Sequence, residues 1–79
     1  MTDPSHAPAA APPVTVYVNG AGRAVPAATT LETLVAELTT APRGVAAALN
    51  EDVVPRGRWA ATPLAEGDRV EVLTAVQGG

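Results

Sequence analysis

Two segments with the periodicity of β-strands lie at opposite ends of the foldable part of this sequence. Residues Val14 to Asn19 and Arg69 to Thr74 alternate apolar and polar side chains with a period of two, which predicts strands with one buried face. Each strand needs neighbouring strands for its backbone hydrogen bonds and a second layer for its apolar face. The chain between them must therefore supply further strands and a covering helix.

Turn signals follow the first strand and precede the last one. The Asn19-Gly20 pair predicts a β-hairpin, because both residue types tolerate the positive φ that tight hairpin turns require. Residues 23–26 would form the return strand, which should end at Pro26 because proline cannot donate to a neighbouring strand. Gly67 with Asp68 predicts the turn into the final strand.

A single helix is predicted after Thr29, which would cap its N-terminus, with Glu32 completing a capping box. Its core-facing side chains recur at helical spacing and are Leu31, Leu34, Val35 and Leu38. The helix should end before Pro42, since the residue that precedes a proline avoids helical backbone angles. Helical patterning covers about ten residues, a marginal length in isolation, so packing must hold the helix in place.

The segment between the helix and the final strand has a weaker pattern. Residues 45–50 predict a strand, although alanine is a poor strand former and helix propensity alone would favour a helix. The polar break after them, followed by Val53 and Val54, favours two strands joined by a tight turn. Residues 55–63 are predicted to be irregular.

The predicted elements run as two strands, a helix and two strands, with an extra short strand, which is an α+β order with a mixed sheet. The ubiquitin-like β-grasp fold has this order, with its first and last strands parallel at the sheet centre. Those two strands are also the most apolar ones here. We predict a β-grasp domain over residues 14–75, a disordered Ala/Pro-rich tail over residues 1–13, and a flexible C-terminal tail over residues 76–79.

The composition excludes several kinds of chemistry. The chain has 79 residues and a net charge of −3, which argues against nucleic acid as a partner because phosphate binding needs a basic surface. It contains no cysteine and no lysine, which excludes thiolate catalysis, a Schiff base and a Walker-type phosphate loop. The one histidine, His6, lies in the predicted N-terminal tail.

Neither a membrane-spanning segment nor a secretion signal is evident in the sequence. We therefore expect a cytoplasmic protein without a membrane partner, and we expect no metal site. A folded part of about 66 residues buries only ~60% of the surface that its unfolded chain exposes. Such a core leaves little room for an internal pocket, so we expect the chemistry at the surface or at a terminus.

Several segments resemble the ThiS family of sulfur carriers. They are Asn19-Gly20, residues 43–46, 48–50 and 53–56, Trp59 and Leu64. The resemblance is most specific from Gly67 to Gly79, which reads Gly-Asp-Arg-Val-Glu-Val-Leu-Thr-Ala-Val-Gln-Gly-Gly. It covers nearly everything from Val14 onward, whereas residues 1–13 have no counterpart in the family pattern.

The resemblance implies a protein co-substrate rather than an enzyme. It implies that an E1-like, ATP-dependent adenylyltransferase of the ThiF type activates the carboxylate of Gly79. Sulfur from a donor protein then replaces an oxygen to give a thiocarboxylate, and the thiazole synthase ThiG uses that sulfur to build the thiazole ring of thiamine. The chain itself would bind no cofactor, since ATP and magnesium are used by the partner.

The residue types at the chain end fit this chemistry. A terminal carboxylate is ionised at pH 7 and repels nucleophiles, so it must first be activated, as a mixed anhydride with AMP would do. Gly78 and Gly79 have no Cβ, so their backbone can enter a narrow channel and approach a nucleotide closely. From Val76 through Gln77 to Gly79 the chain reaches ~13 Å, at about 3.3–3.6 Å per residue. The carboxylate can therefore enter a partner's site while the domain stays outside.

Leu73 and Ala75 point away from the core-facing positions of the last strand. We expect them to form an exposed apolar strip beside the tail that serves as a docking surface. Trp59 should either cap the core or lie at an interface. Arg56 and Arg58 are either solvated charges or contacts for an acidic partner.

Two alternative functions remain open. The small subunit of molybdopterin synthase shares the fold, the Gly-Gly end and the thiocarboxylate, although the Trp59 segment and residues 75–79 favour the thiamine carrier. An unmodified ubiquitin-like or TGS-type interaction module would share the fold alone. Deletion of Gly79 separates a carrier from a module, because only a carrier would lose all activity.

Overall fold

The computed structural model describes residues 11–39 and 44–74. Their elements follow the predicted order, with a 3₁₀-helix where irregular chain was expected. In chain order they are β1 (Val14–Val18), β2 (Ala21–Val25), α1 (Leu31–Leu38), β3 (Val45–Leu49), β4 (Asp52–Val54), the 3₁₀-helix (Arg56–Ala61) and β5 (Arg69–Thr74). The predicted flexible tail over residues 76–79, and most of the predicted disordered tail, lie outside the described residues.

The strands form one five-stranded sheet in the order β2-β1-β5-β3-β4. The chain's first and last strands, β1 and β5, are parallel neighbours at its centre. The other neighbouring pairs are antiparallel. This arrangement confirms the predicted α+β, β-grasp class with a mixed sheet and one main helix. The alanine-rich segment is a strand because β3 pairs with β5 along its whole length.

The core lies between one face of the sheet and the layer formed by α1 and the 3₁₀-helix. Its buried side chains are Val16, Val18, Val25, Leu31, Leu34, Val35, Ala47, Trp59, Leu64, Val70 and Val72. Trp59 is only 3% exposed, and its indole Nε1–H donates to the carbonyl of Val54 at 2.8 Å. Trp59 therefore caps the core, and its side chain organises the segment that was predicted to be irregular.

Leu38 was predicted to face the core, and the structure corrects this. Its side chain is 38% exposed. Leu38 is the last residue of α1, and the chain leaves the helix at Thr39 in an extended conformation. Leu38 therefore lies at the end of the helix, outside the buried core.

The predicted N-cap is wrong by one residue. Thr30, not Thr29, caps α1, and its side chain accepts a hydrogen bond from the Thr33 backbone N–H at 3.2 Å. Thr29 instead donates its hydroxyl to the carbonyl of Pro26. The shift has a tertiary cause, because the backbone of residues 29–31 is bonded to residues 62–64: Leu64 N–H donates to Thr29 O and Leu31 N–H to Thr62 O, both at 2.8 Å.

We expect Thr30→Ala to lower the free energy of unfolding by about 1 kcal/mol, because it leaves the Thr33 N–H without its capping acceptor. Chemical denaturation monitored by circular dichroism measures this change. Thr30→Ser is the matched control, since it keeps a hydroxyl acceptor and should stay close to the parent protein. Equal stability of the alanine and serine variants would contradict the assignment of Thr30 as N-cap.

Candidate functional site

The residues predicted to carry the chemistry follow β5. Gly79, Gly78, Gln77, Val76 and Ala75 lie outside the described residues. The structure does describe the strand that leads to them. The described part of the candidate site therefore consists of β5 and its neighbouring residues.

One edge of β5 is paired with β3 over most of its length. The antiparallel register joins Thr74 to Val45 at one end and Val70 to Leu49 at the other. This pairing extends to the last residue of β5, so the strand is supported up to the point where residues 75–79 begin.

The opposite edge of β5 meets β1, which ends four residues earlier in the shared register. Here Gly67 N–H donates to Thr15 O at 2.7 Å and Tyr17 N–H donates to Asp68 O at 2.9 Å. Asn19, the residue after β1, donates its backbone N–H to Val70 O at 2.8 Å. Backbone pairing from β1 stops at this bond.

The side chain of Asn19 continues the pairing where β1 ends. Its Nδ2 donates to the carbonyl of Val72 at 3.2 Å, and its Oδ1 accepts from the Val72 N–H at 3.0 Å. Both bonds are partly buried. An unpaired backbone group shielded from water is unfavourable, so the amide satisfies two groups of β5 that β1 cannot reach.

Asn50 has a similar position at the start of β5, in the hairpin between β3 and β4. Its backbone N–H donates to Arg69 O at 2.7 Å, and its Oδ1 accepts from Arg69 N–H at 3.0 Å. Its Nδ2 donates to Asp68 Oδ1 at 3.1 Å, while Asp68 Oδ2 accepts from Ala65 N–H at 2.7 Å. Asn19 and Asn50 both have left-handed backbones, with φ of 50° and 51°.

The sequence pattern predicts the turns but not these side-chain bonds. Asn19-Gly20 was correctly assigned to a hairpin, and both residues have positive φ. An asparagine in a turn satisfies that local pattern whichever way its side chain points. The bonds to β5 span 53 and 19 residues of sequence for Asn19 and Asn50, so the local sequence pattern carries no signal for them.

The face of the sheet opposite the core carries an apolar surface next to the end of β5. Leu73 is 67% exposed, and its cross-strand partner Ala46 is also exposed. The predicted exposure of Leu73 is confirmed, whereas Ala75 lies outside the described residues. Val53 on β4 shares this face and is 76% exposed. Leu73 stands one residue before the end of β5.

The remaining candidates are plain surface features. Arg56 and Arg58 are exposed and form no ion pair with another residue of the described part of the chain. Within that part, no group of three or more His, Cys, Asp or Glu side chains is placed to hold a metal ion. No helix within residues 11–39 and 44–74 is long and apolar enough to cross a membrane.

The similarity to known proteins includes the last residue of the chain. A family model described as the ThiS family matches residues 16–79. The crystal structure of a thiamine biosynthesis protein (ThiS) from Geobacter metallireducens has a TM-score of 0.69 and 30% sequence identity to this chain. The alignment covers 84% of this chain and 100% of that one.

Two curated relatives are similar over 64 residues, which is 81% of this chain. They are thiazole synthases of Magnetococcus marinus, at 41% identity, and of Paramagnetospirillum magneticum, at 34%. This chain spans about a fifth of their length, since the match covers 20% of each.

The turn before β5 provides a stability test. Gly67 has a φ of +83° with no atom near its missing Cβ, and Gly57 has the same open space without positive φ. We expect Gly67→Ala to lower the free energy of unfolding by about 1–2 kcal/mol through backbone strain alone. Gly57→Ala should leave it unchanged or raise it by up to about 1 kcal/mol. Thermal unfolding of both variants gives the comparison, and equal effects would rule out strain at Gly67.

Proposed function

This chain belongs to the ThiS family, and we propose on that basis that it is a sulfur carrier of thiamine biosynthesis that works through the carboxylate of Gly79. In this proposal the carboxylate is adenylated by a partner enzyme and converted to a thiocarboxylate, whose sulfur is delivered for thiazole formation. The observation that carries the proposal is that the family match runs through Gly79, five residues after the end of the central strand β5.

The proposed chemistry begins with activation of a poor electrophile. A carboxylate oxygen attacks the α-phosphate of ATP, and pyrophosphate leaves. Hydrosulfide released by the donor then attacks the acyl carbon of the mixed anhydride, AMP leaves with the oxygen, and loss of the sulfur-bound proton gives the thiocarboxylate. Each step requires the terminal carbonyl to be reachable from outside, and a Gly-Gly end places no side chain in the way.

We propose that a partner enzyme activates the carboxylate. This chain has no lysine and no cysteine, and no metal-binding cluster is found within residues 11–39 and 44–74. We propose that an adenylyltransferase of the ThiF type supplies ATP and magnesium, and that a separate donor protein supplies the sulfur. A cytoplasmic location, where ATP is available, follows from the same proposal.

The acceptor of the sulfur would be a thiazole synthase of the ThiG type. The names of the curated relatives support this, because a segment similar to this chain forms about a fifth of two thiazole synthases. Carrier and synthase sequences joined in one chain are expected where the two act on the same sulfur.

A partner enzyme also needs a surface of this domain to bind while the terminus occupies the enzyme's active site. We propose that the apolar strip that starts at Leu73 and continues to Ala75 is part of that surface. Leu73 is the exposed apolar residue of β5 and lies six residues before Gly79. An exposed leucine beside an exposed alanine on a neighbouring strand offers apolar area that a partner can bury.

Mass spectrometry of the C-terminal peptide tests the modification. The protein is incubated with ATP, a sulfur donor and the ThiF-type partner, and an alkylating reagent traps nucleophilic sulfur. We expect the peptide that ends at Gly79 to gain the mass difference of one oxygen replaced by sulfur, plus the mass of the alkyl group when the reagent is added. Deletion of Gly79 should abolish the reaction while circular dichroism stays unchanged. Persistent absence of sulfur from the intact protein's terminus would overturn the proposal.

Charge on the apolar strip should weaken partner binding. We expect Leu73→Glu to raise the Kd for the ThiF-type partner about tenfold or more, because a buried charge without a counter-ion is strongly unfavourable. Its unfolding curve should stay near that of the parent, since the side chain is already exposed. Val53→Glu, on the same face but two strands away, is the matched control. Titration calorimetry that found equal losses for both would refute a docking strip beside the tail.

A further inference from the structure

We propose that Asn19 is a positioning residue for the modified chain end. Its side-chain amide holds Val72 and so fixes how β5 leaves the sheet toward Gly79. This inference rests on the proposed function, because it assigns Asn19 a task in presenting the carboxylate to an activating partner.

The side chain of Asn19 makes the two hydrogen bonds that a further residue of β1 would make to β5. One donor and one acceptor of its amide meet the C=O and the N–H of the same residue, Val72, at 3.2 and 3.0 Å. Two such bonds to one residue are what a paired strand would provide. β1 has already ended at Val18, so the side chain extends the sheet by one step on this edge of β5.

Few residue types can do this at position 19. The backbone there has a φ of +50°, which asparagine, aspartate and glycine tolerate. Of these, only asparagine carries both a donor and an acceptor on one short side chain. Aspartate would place an oxygen against the Val72 carbonyl, and glycine would leave both Val72 groups without a partner on that edge.

The position of this bond along β5 gives it a functional consequence. Val72 is two residues before the end of β5, and Gly79 is seven residues beyond Val72. Without the Asn19 amide, the end of β5 would be held by β3 alone. In the complex with the partner, docking of the domain and binding of the terminus fix both ends of this segment, so fraying of β5 at Val72 displaces the carboxylate. Reaction rates depend steeply on the placement of reacting atoms.

Asn50 is a matched control inside the same protein. It also has a left-handed backbone, follows the strand before a hairpin turn, and bonds through its side chain to the β5 segment. Its bonds fall on Asp68 and Arg69, at the start of the strand. Its loss should weaken the fold in a similar way without loosening the end of β5.

The experiment compares Asn19→Gly with Asn50→Gly in ATP–pyrophosphate exchange by the ThiF-type partner. The assay is run well below the unfolding temperature of both variants, as judged by circular dichroism. We expect Asn19→Gly to lower kcat about tenfold with KM changed less than about twofold, because placement fails while docking persists. Asn50→Gly should keep both constants within about twofold of the parent. Amide exchange at Val72 should accelerate in Asn19→Gly only.

The outcomes separate the two proposals. Exchange by the parent protein with equal kcat for the two glycine variants would overturn the role of Asn19 and leave the carrier function standing. No activation of the parent terminus would overturn the carrier function and this inference together. Should Asn19→Gly fail to fold, Asn19→Asp is compared with Asn50→Asp, and kcat must again fall more for the change at position 19.

Discussion

The backbone of β5 has to be hydrogen-bonded on both of its edges, and much of this structure follows from that requirement. A central strand has no access to water along its edges, so each N–H and C=O there needs a protein partner. β3 provides one edge up to Thr74, but β1 ends before Val72. Two asparagines in left-handed turns extend the pairing, Asn50 where the strand starts and Asn19 where it nears its end. Turn residues thereby become part of the sheet.

The strand β5 contributes to the core, to the exposed face of the sheet and to the connection with the proposed reactive terminus. Val70 and Val72 point into the core, where they are buried. Leu73 points outward from the opposite face. The end of the strand leads directly to the proposed reactive terminus. Because side chains alternate between the two faces of a strand, adjacent residues of β5 contribute to the core and to the proposed docking face. A small domain thereby gives its chain end a well-fixed base.

The sequence predicted the elements well where patterns are local and less well where distant segments meet. The period-two strands and the Leu31-to-Val35 face of α1 gave the β-grasp order correctly. The N-cap was displaced because the backbone around Thr30 pairs with residues 62–64, which propensity cannot reveal. The role of Asn19 was missed for the same reason, since its partner is 53 residues away. The assignment of Gly79 as the reactive residue stays a prediction that rests on resemblance to a family, and periodicity played no part in it.

The separation of folding from chemistry explains why so small a chain can serve as a carrier. Within residues 11–39 and 44–74, every buried side chain is apolar and none is polar or charged. The described core is therefore held together by apolar packing, which stabilises the fold. Val72 is the last core residue within residues 11–39 and 44–74, and Gly78 and Gly79 follow it in the sequence by six and seven residues. The sequence of the C-terminal segment can then suit access to a partner's site, while the sequence of the domain suits stability. This separation requires that the end of β5, which joins the two, is held by its hydrogen bonds at Val72.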